Sequence, residues 1–480
     1  MHSTWSILDT LIMALYFIAM LGVGVYYSKK TNSSEDFLVA GRNVGFLRLF
    51  GTVTSTDIGA GYVIATVGMA YTVGFGASWL VFSSLLGAWT VAFFLSKKLK
   101  PLADKMKFVS NAHFLGYRYD KRASLIGSIM VIFANVTFVG TQIVGGAAII
   151  SAVTGIKLST AAWIAGSVVI IYTAMGGLNS VIDTDVIQVA IIVLGIFLIG
   201  VPVGLIKIGG FSALYENLPR SFFSVGGVPT ATVIKWFIAM VPSYLISMIT
   251  WQRIFAAKDL KTVRKAYTFS GLLIWPVFGF FICLLGMTAA VMYPGLKSDL
   301  VFTTFIVKAL PTGVTGIIIA ALTAAIMSTA DSGLMCATTV FCNDIVKGYI
   351  KPNITDKQII KTGQFTIIII GVMSLSIALY IPQILKLMLY AYQFNAAIFW
   401  PAMLGLFWKR ATSEAAFWSL LVGGIGSVIW AVLGSPFGLP PIYIAFPLTL
   451  AMMIIISLVT KHSDSEHAIE IPSTEEGATV

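Results

Sequence analysis

Apolar residues run in long blocks along most of this chain, and the charged residues are confined to short gaps between them. A charge-free run of about 20 residues is the length of helix that crosses a bilayer core. Splitting the longest runs where Gly and Pro fall predicts thirteen membrane-spanning helices, over about 5–27, 45–72, 75–96, 123–153, 158–175, 184–206, 231–251, 266–293, 313–343, 362–382, 384–408, 415–434 and 441–460. The expected fold is an all-α polytopic membrane protein, with residues 1–460 forming one transmembrane domain. Beyond Ser463 come Asp464, Glu466, Glu470, Glu475 and Glu476 with no periodic apolar face, so 461–480 is expected to be a disordered cytoplasmic tail.

Composition excludes the alternatives. Of 480 residues, 58% are hydrophobic and 11% charged, whereas soluble domains carry about 25% charged residues. The net charge of +11 would suggest a nucleic-acid partner in a soluble protein. Here the basic residues sit in loops beside the spans, so the partner is a lipid bilayer and no nucleic acid is expected. With the amino terminus outside, the inner loops collect 24 of the 31 Lys and Arg residues. That asymmetry predicts a multi-pass plasma-membrane protein with an extracellular amino terminus and a cytoplasmic carboxyl terminus. The first apolar block opens at Trp5 without a basic lead or a small-residue cleavage site, and is read as a retained helix. Cys283, Cys336 and Cys342 lie in apolar stretches without metal-site spacing and are read as packing residues.

Two features suggest an internal repeat. The fourth and ninth spans are both long, about 31 residues, and stand five spans apart. The second and seventh, also five apart, have interrupted middles: Thr54-Ser55-Thr56-Asp57 before Gly59 and Gly61 in one, Pro242-Ser243 in the other. An odd offset inverts the second copy, and paired interrupted segments in two halves point to a transporter's midplane site. The competing reading is that Gly and Pro are simply common in membrane helices.

A carboxylate at the centre of a membrane helix costs about 2.5–3.5 kcal/mol, so each should face protein, water or an ion. Asp57, Asp185 and Asp331 stand out in this respect. In the ninth span, Ala325, Ser328, Thr329 and Ser332 follow the i, i+3, i+4, i+7 pattern of one helical stripe. Such a stripe offers oxygen ligands with little charge, which suits a hard cation such as sodium. Unwound backbone around Ser55 to Ile58 would complete the shell with carbonyls. A small-residue packing face is the other reading of the same stripe.

Several motifs resemble the sodium:solute symporter family. They are Asp36-Phe37 with Ala40-Gly41-Arg42, Gly155 with Leu158, and Tyr172 to Ser180 followed by Thr184 to Gln188. Gln252-Arg253 with Ala256-Ala257-Lys258, the Met327 to Ser332 run and Gly405 to Lys409 continue the series in the expected order. The resemblance implies a LeuT-type fold of two inverted five-helix repeats, about 45–206 and 231–408, with flanking helices. It also implies sodium-driven uptake of a small organic solute by alternating access, and no enzymatic activity. Carried onto matching positions, the sodium site would use the carbonyls of Ser55, Ile58 and Ala325 and the hydroxyls of Ser328 and Thr329. A second sodium or proton site would use Asp185, Asp331 and Ser332 with Ser328, or else a gate-side ion pair with a basic residue such as Arg253 would form there.

In that architecture the solute sits beside the broken helices, which nominates Asp57, Tyr62, Gln142, Ser243, Tyr244, Ser247, Tyr390 and Gln393. No Lys or Arg lies mid-span, which disfavours strongly anionic solutes; neutral sugars, amino acids, monocarboxylates and choline-like cations stay open. A proton-coupled carrier using Asp185 and Asp331 is the alternative mechanism.

Overall fold

The computed structural model describes residues 5–382, 384–433, 436 and 442–461. The chain is helical, and the one β feature among the described residues is an isolated bridge between Val44 and Ala257. Helix α1 spans Ile7–Ser28. A broken pair follows, α2 Phe46–Asp57 and α3 Ala60–Val73. Next are α4 Ser78–Thr90, α5 Lys121–Thr154 and α6 Leu158–Ile192. A second broken pair, α7 Thr230–Ile246 and α8 Met248–Ala256, leads to α9 Leu260–Leu273 and α10 Ser298–Ala309. The remaining long helices are α11 Val314–Val340, α12 Asp356–Tyr380, α13 Ile384–Phe407, α14 Ser413–Val432 and α15 Ile442–Val459.

Local chemistry sets the ends. The side chains of Asp120 and Asp259 accept the backbone N–H groups of Ala123 and Thr262 and so cap α5 and α9. Gly155, at φ 76°, closes α5 in the left-handed conformation that a glycine adopts without strain. The long fourth and ninth stretches are realised as 34 residues in α5 and 37 in the run Val314–Ile350, which continues α11 through a wide π turn.

Among the described residues, nine helices are long and apolar enough to cross a membrane, ten with the α7–α8 pair counted as one span. The thirteen expected stretches do not all appear as separate helices. Those from 158 and 184 run as one helical stretch to Ile208, interrupted only at Gly177, whose φ is 63° and ψ −158°. A Cβ there would lie 2.5 Å from the Phe37 ring, so both backbone and packing require glycine. The stretch 45–72 is instead split in two. The tail expected over 461–480 falls, Lys461 apart, outside the described residues.

Helix α11 is the axis of the fold. It packs mainly against α5 and α6, and its residues from Ile318 to Val340 are all buried. The three cysteines are free and buried, as a packing role requires.

Candidate functional site

The first helix break faces the centre of α11. Helix α2 ends at Asp57; Ile58 (φ −96°, ψ 57°) and Gly59 (φ −78°, ψ 174°) leave the helical conformation, and α3 restarts at Ala60. The Ile58 N–H tightens onto the Ser55 carbonyl at 3.2 Å, and the Val63 N–H bonds the Gly59 carbonyl to begin the next helix. A Cβ on Gly59 would come within 3.0 Å of Thr329 Oγ1 and 3.2 Å of Gln142 Oε1, so the break is wedged between α11 and α5.

Across from it, Ser328 Oγ lies 3.0 Å from both the Ser55 and Ala325 carbonyls. Thr329 Oγ1 lies 3.0 Å from the Thr56 carbonyl and 3.1 Å from that of Ala325. Each hydroxyl has one proton to offer and two carbonyls to satisfy. Five buried oxygens thus share two hydroxyl protons, and the Ser55 hydroxyl nearby is buried with no partner among the described residues. An oxygen-rich, proton-poor cluster of this kind is suited to a small hard cation, with each hydroxyl turning its lone pairs inward. The residues fit sodium. No cluster of three His, Cys, Asp or Glu side chains able to hold a metal occurs among the described residues. Of the expected ligands, Ser55, Ala325, Ser328 and Thr329 are brought together. Ile58 is fully buried at the break, and the second carbonyl bonded to the stripe is that of Thr56.

Below this cluster lies a buried ionic network. Thr52 Oγ1 donates to Asp185 Oδ2 at 2.5 Å and accepts from Arg253 Nε at 3.2 Å and Nη2 at 3.0 Å. Arg253 Nη2 also reaches Asp185 Oδ2 at 3.3 Å and donates to Ser332 Oγ. The Tyr172 hydroxyl donates to Asp331 Oδ2 at 2.5 Å. The outer oxygens, Asp185 Oδ1 and Asp331 Oδ1, are buried without partners among the described residues. The arginine ion pair is therefore made by Asp185, while Asp331 is held by a tyrosine.

The expected solute residues divide. Tyr244 OH donates to Asp57 Oδ2 at 2.9 Å, and Gln142 lies against Gly59, so these join the first break. The Tyr62 hydroxyl is buried with no partner among the described residues. Ser243 turns its hydroxyl to the Ala239 carbonyl of its own helix at 2.9 Å. Ser247 is the residue between α7 and α8, which bend by 42° there. Gln393 is buried with Oε1 unpartnered among the described residues, and Tyr390 is half-buried on the same helix. No hydrogen bond joins either of them to Asp57 among the described residues.

Thr52, Thr56 and Tyr172 are the functional neighbours that sequence reasoning passed over. Thr52, Ser55, Thr56 and Gly59 follow the same i, i+3, i+4, i+7 pattern as the α11 stripe, a signal present in the sequence. Tyr172 offered no such signal, because its partner Asp331 is 159 residues away.

A model of the sodium:solute symporter family matches residues 37–423. The chain is similar to the osmoregulated proline transporter OpuE of Bacillus subtilis, 24% identical over 465 residues and 94% of each chain. It is similar also to the sodium/pantothenate symporter of Escherichia coli, 27% identical over 92% of this chain and 95% of that one. In fold it matches a Na+-coupled sialic acid symporter with a TM-score of 0.78 at 23% identity, over 96% of this chain and 99% of that one.

Proposed function

The chain belongs to the sodium:solute symporter family, and from that premise we propose that it carries a small organic solute into the cell by alternating access, driven by sodium. It is a transporter and not an enzyme. The observation that carries the sodium assignment is the set of five oxygens sharing two hydroxyl protons between the first break and α11. The proposed ligands are the carbonyls of Ser55, Ile58 and Ala325 and the hydroxyls of Ser328 and Thr329, with Thr56 beside them. One sodium ion moving inward across 100 mV releases about 2.3 kcal/mol. At about 1.4 kcal/mol per tenfold, that alone raises a neutral solute roughly fiftyfold.

Thirteen crossings follow if the run from Leu158 to Ile208 is two spans meeting at Gly177 and each broken pair is one span. Spans two to eleven then form the inverted repeats 45–206 and 231–408, and the basic loops put the amino terminus outside the plasma membrane. The solute contacts Asp57, Tyr62, Gln142, Ser243, Tyr244, Ser247, Tyr390 and Gln393. Asp57 has no ion-pair partner among the described residues and a tyrosine on one oxygen, so it favours a solute that presents a hydrogen-bond donor or an ammonium group. Asp185, Asp331 and Ser332 form a second acceptor cluster in which Arg253 occupies the place of a cation. A second sodium or a proton enters there only when Arg253 withdraws.

The test is uptake into vesicles of reconstituted protein, with sodium and pH gradients imposed separately. Sodium-driven uptake that is lost in Ser328→Ala and Thr329→Ala, with folded protein recovered in normal yield, is the expected result. Uptake that follows the pH gradient and ignores sodium overturns the assignment.

A further inference from the structure

Helix α1 lies outside both proposed repeats, yet it holds the sodium-site helix at two heights. At its start, Asp9 is completely buried, and no basic side chain is paired with it among the described residues. Its charge is met by four donors instead. Oδ2 accepts the N–H and the hydroxyl of Ser6 at 2.9 and 2.7 Å, which caps α1 itself. Oδ1 accepts the N–H groups of Gly313 and Gly316 at 2.9 and 2.7 Å. Those two groups belong to the first turn of α11, whose own cap residue, Gly313, has no side chain to offer. A single carboxylate therefore caps two helices and sits where the α11 dipole favours negative charge.

The approach is too close for any other residue at 316, since a Cβ there would lie 2.8 Å from the Asp9 Cα. Two turns further along α1, Tyr16 OH donates to Met327 Sδ at 3.5 Å and accepts from Gln188 Nε2 at 3.0 Å. Met327 lies between Ala325 and Ser328 in the ligand stripe. From Gly316 to Ala325 is about 13.5 Å of helix at 1.5 Å per residue. A helix pinned at its amino end by Asp9 and beside its ligands by Tyr16 is fixed in both height and rotation.

We propose that Asp9 is a positioning residue for the sodium site, acting through the amino end of α11. The proposal rests on the sodium assignment above. It is tested on the purified full-length protein by titrating sodium against melting temperature in a potassium buffer, which needs no knowledge of the solute. Asp9→Ala and Gly316→Ala damage the same joint from its two sides, and each raises the half-saturating sodium concentration by about fivefold or more. Ser6→Ala weakens only the α1 cap and leaves that concentration unchanged. If Asp9→Ala does not fold, Gly316→Ala and the milder Asp9→Asn carry the same expectation. Variants that lower the sodium-free melting temperature but keep the wild-type sodium response overturn the proposal, and so does Ser6→Ala shifting as far as Asp9→Ala. A wild-type protein that sodium does not stabilise overturns the sodium site and this proposal together.

Discussion

At the first break, the carbonyls of Ser55 and Thr56 face the hydroxyls of Ser328 and Thr329. At the second, the Leu245 carbonyl accepts from the Trp251 indole at 2.8 Å, and the Ile246 carbonyl accepts from the Asn111 amide at 3.1 Å. A hydroxyl can donate in one state and present lone pairs in another, whereas an indole N–H and an amide NH2 can only donate. The carbonyls of the first break can therefore exchange their proton donors for a cation. Those of the second are closed permanently. Matching positions in an inverted repeat do not imply matching tasks: what decides is the chemistry standing opposite the break. The second break instead redirects α8, which brings Arg253 to Thr52 and Asp185 next to the first.

The largest expected effect comes from removing that link. Arg253 and Asp185 are 1% and 0% exposed, so Arg253→Gln leaves a buried carboxylate uncompensated. Breaking a buried pair from one side costs about 3–5 kcal/mol. Thermal unfolding of Arg253→Gln should show a severe loss, partly restored by adding Asp185→Asn. No recovery in the double variant would mean that Arg253 stabilises the protein through Thr52 and Ser332 and not through the carboxylate.

Next in size is Asn111→Ala, which orphans the Ile246 carbonyl at the second break. Leaving a buried acceptor unsatisfied costs about 1–3 kcal/mol, so the melting temperature should fall while the half-saturating sodium concentration stays at the wild-type value. The mirror experiment is Gly59→Ala at the first break. Gly59 has ordinary extended backbone, so the only injury is a Cβ pressed against Thr329 Oγ1 and Gln142. The half-saturating sodium concentration should rise about tenfold, equivalent to about 1.4 kcal/mol, with little change in sodium-free stability. If the two variants behave alike, the contrast between the breaks is wrong.

These contrasts were unequally visible in the sequence. The first break could be read because Thr54 to Asp57 with Gly59 is a polar and flexible island inside an apolar run, where neither lipid nor a continuous helix accounts for it. The hydroxyl stripe of α11 was readable for the same reason, through helical spacing alone. The partners at the second break were not readable, since Asn111 is 135 residues from Ile246 and Trp251 looks like an ordinary core aromatic. Asp9 was hidden differently. With Ser6 it forms a normal capping box at the start of the first helix, and only the packing of α1 on α11 shows its second set of donors. The fold followed from hydropathy because bilayer thickness fixes helix length. The gap between thirteen expected stretches and the continuous run through Gly177 arose because one glycine turns the chain without any polar loop to mark it.

The smallest effect should be read in pH, and it belongs to the second break. His113 shares the short helix Asn111–Arg118 with Asn111, outside the spanning segments. Burial pushes its imidazole down to about 4, and the positive charges of Lys347 and Arg42 act in the same direction. In the unfolded chain it titrates near about 6.5. The unfolded state therefore takes up a proton between those values that the native state refuses, so stability is complete above about pH 6.5 and declines as pH falls toward 4. The melting temperature should drop between pH 7 and pH 5, and His113→Gln should flatten that drop. An identical slope in both proteins would remove His113 as the titrating group. The hydroxyls and carbonyls at the first break do not titrate in this range, so His113→Gln should leave the half-saturating sodium concentration unchanged at either pH.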